Sequence, residues 1–201
     1  MSFKEIFKDC RIAGLAGNKN TGKTNNLFFL LQELRKENKD LMIYAYGIPE
    51  ALKPLLLELD VLEISSLKQM VGKKGSLFII EEMQRLKLND RRYKDALGEF
   101  VDFIYHNNNY CLLSSPAIRE FNSVIGGIIE KWLLKSINLD DCINGSQLKK
   151  AVEEYKGKFK SLGDITLKRE DILLINNEKE IILTCGYVEA ADLKKSLIKV
   201  F

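Results

Sequence analysis

Two periodicities of apolar and polar positions alternate along this chain. Residues 11–16 (Arg-Ile-Ala-Gly-Leu-Ala) form a short apolar run into a glycine-rich turn, the pattern of a buried strand. From Thr21 onward Leu27, Leu30, Leu31 and Leu34 recur at i, i+3, i+4 and i+7, which predicts a helix with one apolar face, ended by Lys36–Asp40. Leu41–Tyr46 reads as a second strand closed by Gly47-Ile48-Pro49, followed by a helical stretch near 49–58 and a short apolar segment, Val61–Ile64. Gly72–Gly75 is a turn feeding the most apolar strand, Ser76–Ile80. Leu97, Phe100, Val101 and Ile104 return to helical spacing, and Tyr110–Leu113 is a further strand, stopped by Ser114-Ser115-Pro116. Strands alternating with helices imply an α/β fold: a mainly parallel sheet with helices on both faces.

Beyond residue 116 the pattern divides. Ile125, Ile128, Ile129 and Trp132 could form a helix face, while Trp132-Leu133-Leu134 could equally be a fifth buried strand. Ser146 is placed to cap a helix running to about Tyr155. Ile172–Ile175 and Ile181–Thr184 flank Asn176–Glu180, a hairpin with a longer loop. The expected organisation is a core over 1–140 with a small C-terminal α+β appendage, 141–201, packed on it.

Composition agrees with one domain plus an appendage: 201 residues, 46% hydrophobic and 29% charged. No apolar run approaches the roughly 18 residues of a spanning helix, so no membrane span is expected. The opening residues carry an acid and lack a signal-type apolar core. Lys and Arg total 31 against 28 Asp and Glu, a net charge of +3, too small an excess to demand a polyanionic partner. Cysteines stand alone at 10, 111, 142 and 185, with a single histidine, His106. That argues against structural zinc and suits a reducing, cytoplasmic compartment. His106 reads as a helix-end residue and Trp132 as core.

The chemistry concentrates in residues 17–24, Gly-Asn-Lys-Asn-Thr-Gly-Lys-Thr, a full match to G-x-x-x-x-G-K-[ST]. Gly17 and Gly22 let the backbone bend so that successive N–H groups of Gly17, Asn18, Lys19, Asn20, Thr21 and Gly22 point around a phosphate. Lys23 is placed to reach the β- and γ-phosphate oxygens, and the Thr24 hydroxyl to coordinate Mg²⁺. The helix that starts there, with Asn25 in its first turn, presents its positive dipole end to the anion. An apolar strand before the motif and an amphipathic helix after it give the match its context. The cofactors expected are therefore ATP and Mg²⁺.

Such a site needs an acid at the end of a neighbouring strand, and Leu77–Ile80 followed by Glu81-Glu82 supplies two. Glu81 is assigned to the Mg²⁺ shell, directly or through water, and Glu82 to polarising the attacking water. Glutamate at the metal position is one methylene longer than the usual aspartate, so the shell must shift. Taken alone, the pair would read as two solvated acids opening a loop; it is the pairing with the phosphate loop that favours the catalytic reading. The guanine-reading N-K-x-D motif is missing, which lowers a GTPase reading.

The run Lys73–Gln84, with its apolar strand ending in an acidic pair and then Gln84, taken with the later Tyr105-His106 and Tyr110–Ser115, resembles the FtsK–HerA superfamily of P-loop ATPases. Within it the chain looks most like short viral DNA-packaging ATPases and zonula-occludens-toxin-like phage ATPases. The resemblance covers about residues 10–137. It implies a RecA-like P-loop NTPase fold and a sensor at the end of the later strand, where Ser114-Ser115 replaces the usual Gln, so that Ser114 or Ser115 would sense the γ-phosphate. It also implies a homo-oligomeric ring in which a neighbour supplies an arginine; Arg85, Arg91, Arg92 and Arg119 are the candidates, and Lys19 could act in cis.

Residues 83–94 carry five basic residues and one acid, enough to track a phosphate backbone without reading bases, or simply a solvated helix face. The expectation is an ATP-hydrolysing translocase of double-stranded DNA, most concretely a viral genome-packaging motor acting with capsid or portal proteins in the host cytoplasm. The competitors are a nucleoside or nucleotide kinase and a slow nucleotide-gated assembly switch.

Overall fold

The computed structural model describes residues 3–17, 21–81, 93–115, 127–135, 171–175 and 180–184. In chain order these form α1 (Phe3–Phe7), β1 (Ile12–Ala16), α2 (Lys23–Glu37), β2 (Ile43–Tyr46), α3 (Lys53–Glu58), β3 (Val61–Glu63) and β4 (Leu77–Ile80). They continue with α4 (Tyr93–His106), β5 (Tyr110–Ser115), β6 (Lys131–Leu134), β7 (Asp171–Ile175) and β8 (Glu180–Thr184). The strands make one eight-stranded sheet in the order β3-β2-β4-β5-β1-β6-β7-β8. From β3 to β6 every pairing is parallel, and β7 and β8 add on antiparallel.

Both faces of the inner parallel strands are covered, which is why β1, β2 and β4 are apolar runs rather than alternating ones. Ala13, Leu15, Ile43, Ala45, Leu77, Ile79, Leu112 and Leu133 line one face, against Ile6 and Phe7 of α1, Leu27, Leu30, Leu31 and Leu34 of α2, and Leu55 and Leu56 of α3. The predicted leucine stripe of α2 is the buried one, each of its four leucines at 0–1% exposure. On the other face Phe103 of α4 meets the Phe78 ring edge-on at 5.5 Å, and Phe78 stacks on Tyr44 at 5.3 Å.

Side chains pin the strand ends that carry no hydrophobic information. Asn109, fully buried, accepts from the Ser76 N–H at 2.9 Å and donates to the Lys73 carbonyl at 3.1 Å, fastening the turn before β4 to the start of β5. Glu130 Oε2 accepts from the N–H groups of Arg11 and Ile12 at 2.7 and 3.0 Å, tying β1 to the chain that enters β6. Lys131, nearly buried, turns its ammonium onto the carbonyls of Glu5 and Lys8 at the end of α1. Such cations suit helix C-termini, where carbonyls lack partners.

Several expectations are refined. Lys131–Leu134 is a strand, not part of a helix, and Trp132 is core at 4% exposure. β5 does not stop before the serines but runs through Ser115, because Ser114 and Ser115 pair with Leu15 and Ala16 of β1. The hairpin forms, with Ile175 opposite Glu180, and it extends the main sheet. His106 ends α4. The helix expected between Ser146 and Tyr155 lies outside the described residues, as do Cys142 and Cys185. Cys10 and Cys111 are free and buried. Among the described residues no helix is long and apolar enough to cross a membrane.

Candidate nucleotide site

The site is built at the carboxyl edge of the sheet, where β1 leaves it. Gly22 takes a left-handed conformation (φ 87°) immediately before α2, and its carbonyl accepts the Asn26 N–H at 2.9 Å to start the helix. Only glycine holds that φ without strain, so the motif's second glycine reverses the chain from loop into helix. Lys23 opens α2, is 9% exposed, and donates from Nζ to the Gly17 carbonyl at 2.7 Å. Its ammonium therefore sits in the bend between Gly17 and the helix rather than in solvent. Thr21 and Thr24 are half-buried beside it. Asn18, Lys19 and Asn20 lie outside the described residues.

The acid reaches this edge from β4. Glu81 follows Ile80 directly, its N–H donates to the Tyr46 carbonyl at 2.9 Å, and its side chain is 6% exposed. The expectation of a neighbouring strand is corrected by the sheet order: β5 lies between β4 and β1. Two strand spacings put Glu81 about 10 Å across the sheet from β1. Ser114 spans the gap. Its hydroxyl donates to Glu81 Oε2 at 3.0 Å, and Ser114 is itself the register partner of Leu15 in β1. Glu81, Ser114 and Leu15 thus form one row on the face covered by α2, and Ser115, partner of Ala16, alternates to the other face. Glu82, Gln84, Arg85, Arg91, Arg92 and Arg119 lie outside the described residues.

The residues present fit a nucleotide and a hard cation. Thr24 and Glu81 offer a hydroxyl and a carboxylate, the oxygen donors magnesium prefers. Among the described residues no group of three or more His, Cys, Asp or Glu could hold a metal. Just beyond Thr24 the carboxamides of Asn25 and Asn26 are buried, and none of their four polar atoms has a hydrogen-bond partner. Buried polar groups of that kind are uncommon, and a bound polar ligand or ion is one of the partners that would satisfy them.

Three residues that shape this edge carry no motif. Gly47 (φ 77°) packs so tightly on the Glu81 backbone that a Cβ there would lie 2.4 Å from the Glu81 carbonyl oxygen. Asn109 aligns β4 with β5 from the opposite end. Lys135, fully buried, follows β6 and lies against Gly17. In sequence they are a turn glycine, a polar residue before a strand and a lysine after one, with only the Gly47-Ile48-Pro49 turn as a signal.

No protein-family model matches the chain, and no curated protein matches it. In three dimensions it is similar to the DNA-packaging ATPase from Sulfolobus Turreted Icosahedral Virus, with a TM-score of 0.61 at 13% identity, covering 89% of this chain and 98% of that one. It is similar to the genome packaging NTPase from Sulfolobus turreted icosahedral virus 2 in complex with ATP-gammaS, at a TM-score of 0.59 and 15% identity over 89% and 98% of the two chains. It also resembles the cytoplasmic domain of the Thermomonospora curvata Type VII secretion ATPase EccC, at 0.58 and 11% identity, covering 92% of this chain and 24% of that one. With a parallel sheet, a left-handed glycine running into α2 and an acid two strands away, the chain shares its fold with these ATPases.

Proposed function

We propose that this chain is an ATP-hydrolysing DNA translocase, in its most concrete form a viral genome-packaging motor. One observation carries the proposal: the Glu81 carboxylate accepts the Ser114 hydroxyl on a register row that ends at β1, the strand opening onto Gly17 and Lys23. An acid, a polar reporter and a phosphate loop on one sheet edge are the parts that triphosphate hydrolysis requires. Likeness to viral packaging ATPases along nearly the full length of both chains supports the choice of DNA as the object moved.

In this reading the amides of residues 17–22 and the N-terminus of α2 bind the phosphates, and Lys23 answers the charge on the β- and γ-groups. Thr24 and Glu81 would hold Mg²⁺, which when bound draws negative charge from the phosphate oxygens. Glu82 takes the proton of the attacking water. Ser114 couples Glu81 to β5, and Ser115 at the end of the same strand carries the γ-phosphate signal away from the site. The chain works as a homo-oligomeric ring on double-stranded DNA without reading its sequence, an arginine from a neighbour facing each site. The tail, 141–201, whose hairpin continues the main sheet, is available to a neighbour or to a capsid or portal protein, and the setting is the cytoplasm of a host cell.

The test is phosphate release by the purified chain with and without long duplex DNA, comparing wild type with Lys23→Ala and Glu82→Gln. DNA-stimulated release that both variants lose is the expected result. Transfer of phosphate to a nucleoside without any response to DNA, or binding without release, would replace the motor by a kinase or a switch.

A further inference from the structure

The β6 ladder continues one step past the strand: the Lys135 N–H donates to the Ala16 carbonyl at 2.8 Å and carries Lys135 alongside Gly17. A Cβ built on Gly17 would fall 2.5 Å from Lys135 Cβ and 3.3 Å from its Cα, so only a residue without a side chain fits between them. Strand alternation puts Lys135 on the face of Leu133 and Leu15, the face that also carries Glu81, Ser114 and α2. Gly17 is therefore flanked by two lysines. Lys23 donates to its carbonyl from one side, and Lys135 covers its α-carbon from the other.

Lys135 is 0% exposed, whereas a lysine at a strand end ordinarily runs its ammonium out to water. Lys131, two face-repeats earlier on the same face of β6, is also buried, but its ammonium serves the carbonyls of α1 at the opposite edge of the sheet. Lys135 stands at the other end of the strand, at the loop edge. A lysine charge held out of water acts at long range through a weakly screening medium and raises the potential of whatever bend it adjoins.

We infer that Lys135 is a second cation of the phosphate site, supplied in cis from the side of the loop opposite Glu81, and that its ligand is the polyphosphate of a nucleoside triphosphate. This deepens the nucleotide reading above and rests on it. Part of the charge that develops on the phosphates is then met within one subunit, by Lys135 as well as Lys23, and less is asked of a neighbour's arginine.

The experiment measures ATPγS binding by the full chain as wild type, Lys135→Gln and Lys135→Arg, across a series of salt concentrations, alongside the melting temperature of each nucleotide-free protein. Loss of a charge-assisted contact weakens ATPγS by roughly ten- to a hundredfold in Lys135→Gln and flattens the salt dependence, and Lys135→Arg restores both. A purely structural lysine would lower the melting temperature and leave the salt slope alone. Wild-type affinity in Lys135→Gln, or an arginine variant as impaired as the glutamine one, overturns the inference. Should Lys135→Gln not fold, the Nζ resonance of Lys135 in ¹⁵N-lysine-labelled wild type, assigned with Lys135→Arg, must shift when ATPγS is added; an unmoved resonance overturns it equally. A wild type that does not bind ATPγS at all removes the nucleotide reading itself, an outcome distinct from binding that Lys135→Gln leaves untouched.

Discussion

The Ser114 hydroxyl donates to Glu81 Oε2 at 3.0 Å, both residues buried and 33 positions apart in the chain. Ser114→Ala leaves the carboxylate one bond short in a site closed to water, which costs about 1–3 kcal/mol and lowers the melting temperature. ATPγS affinity stays within a few-fold while phosphate release falls. The parallel Ser115→Ala variant, altered on the other face of β5, tells by its own turnover which serine reports on the phosphate.

Gly47→Ala tests how the acid is positioned. The new methyl meets the Glu81 carbonyl at 2.4 Å and must also adopt a φ of +77°, so the strand end moves or the turn opens. Backbone strain alone is of order 1–3 kcal/mol, and the displacement of Glu81 adds a loss of turnover. Gly72→Ala is the control, with a φ of +82° but nothing within 4 Å, and should lose stability without changing the ratio of turnover to binding.

Asn109→Ala removes both bonds that fasten the turn before β4 to β5 and leaves the buried Ser76 N–H without its acceptor. The expected cost is about 1–3 kcal/mol in urea unfolding. Because this clamp aligns the two strands whose far ends carry Glu81 and Ser114, phosphate release should fall further than the stability loss explains.

The proposed roles of Lys23 and Glu82 separate in binding and turnover. Lys23→Ala weakens ATPγS binding and hydrolysis together. Glu82→Gln keeps nucleotide affinity and lowers hydrolysis by about 10²–10⁴-fold, the usual worth of a positioned base. Wild-type hydrolysis in Glu82→Gln would take that residue out of the mechanism.

Among the described residues, groups remote from the site should make stability fall at alkaline pH. Burial pushes the Cys10 thiol from 9.0 up to about 12, against a smaller opposing pull from Lys131, and its Sγ–H donates to the Ile6 carbonyl at 3.1 Å. A raised folded-state pKa contributes stability that is fully present below the unfolded value and lost as pH rises through the folded one. Urea midpoints should therefore fall between pH 9 and 12, and less steeply in Cys10→Ala. Tyr105, raised from 10.0 to about 12 first by desolvation and then by its bond to Glu130, and the fully buried Cys111 act in the same sense.

Local pattern was enough for the turn at Gly22 into α2, the α2 stripe and the β4 run into Glu81, because each depends on neighbours within one turn or one strand. Leucines at i, i+3, i+4 and i+7 face one way on any helix, and a glycine-bounded loop between strand and helix bends the same way wherever it is placed. The stretch around Trp132 was undecided because four apolar residues suit a strand and a helix face equally, and pairing with β1 is what resolves it.

The composition of the site edge was a matter of strand order, and strand order is not a local property. Nothing near Glu81 in the chain says that β5 will lie between it and β1, or that Ser114 rather than Ser115 will turn toward it. Alternation within a parallel register decides that, and a shift of one residue would exchange the two serines. The same register carries Lys135, a lysine with no motif of its own, against Gly17. Sequence alone determined which segments could bind phosphate and which could carry an acid, since those depend on backbone freedom and side-chain type. Tertiary structure decided which groups share an edge, because hydrogen-bonded pairing between strands distant in the chain sets the row in which each side chain stands.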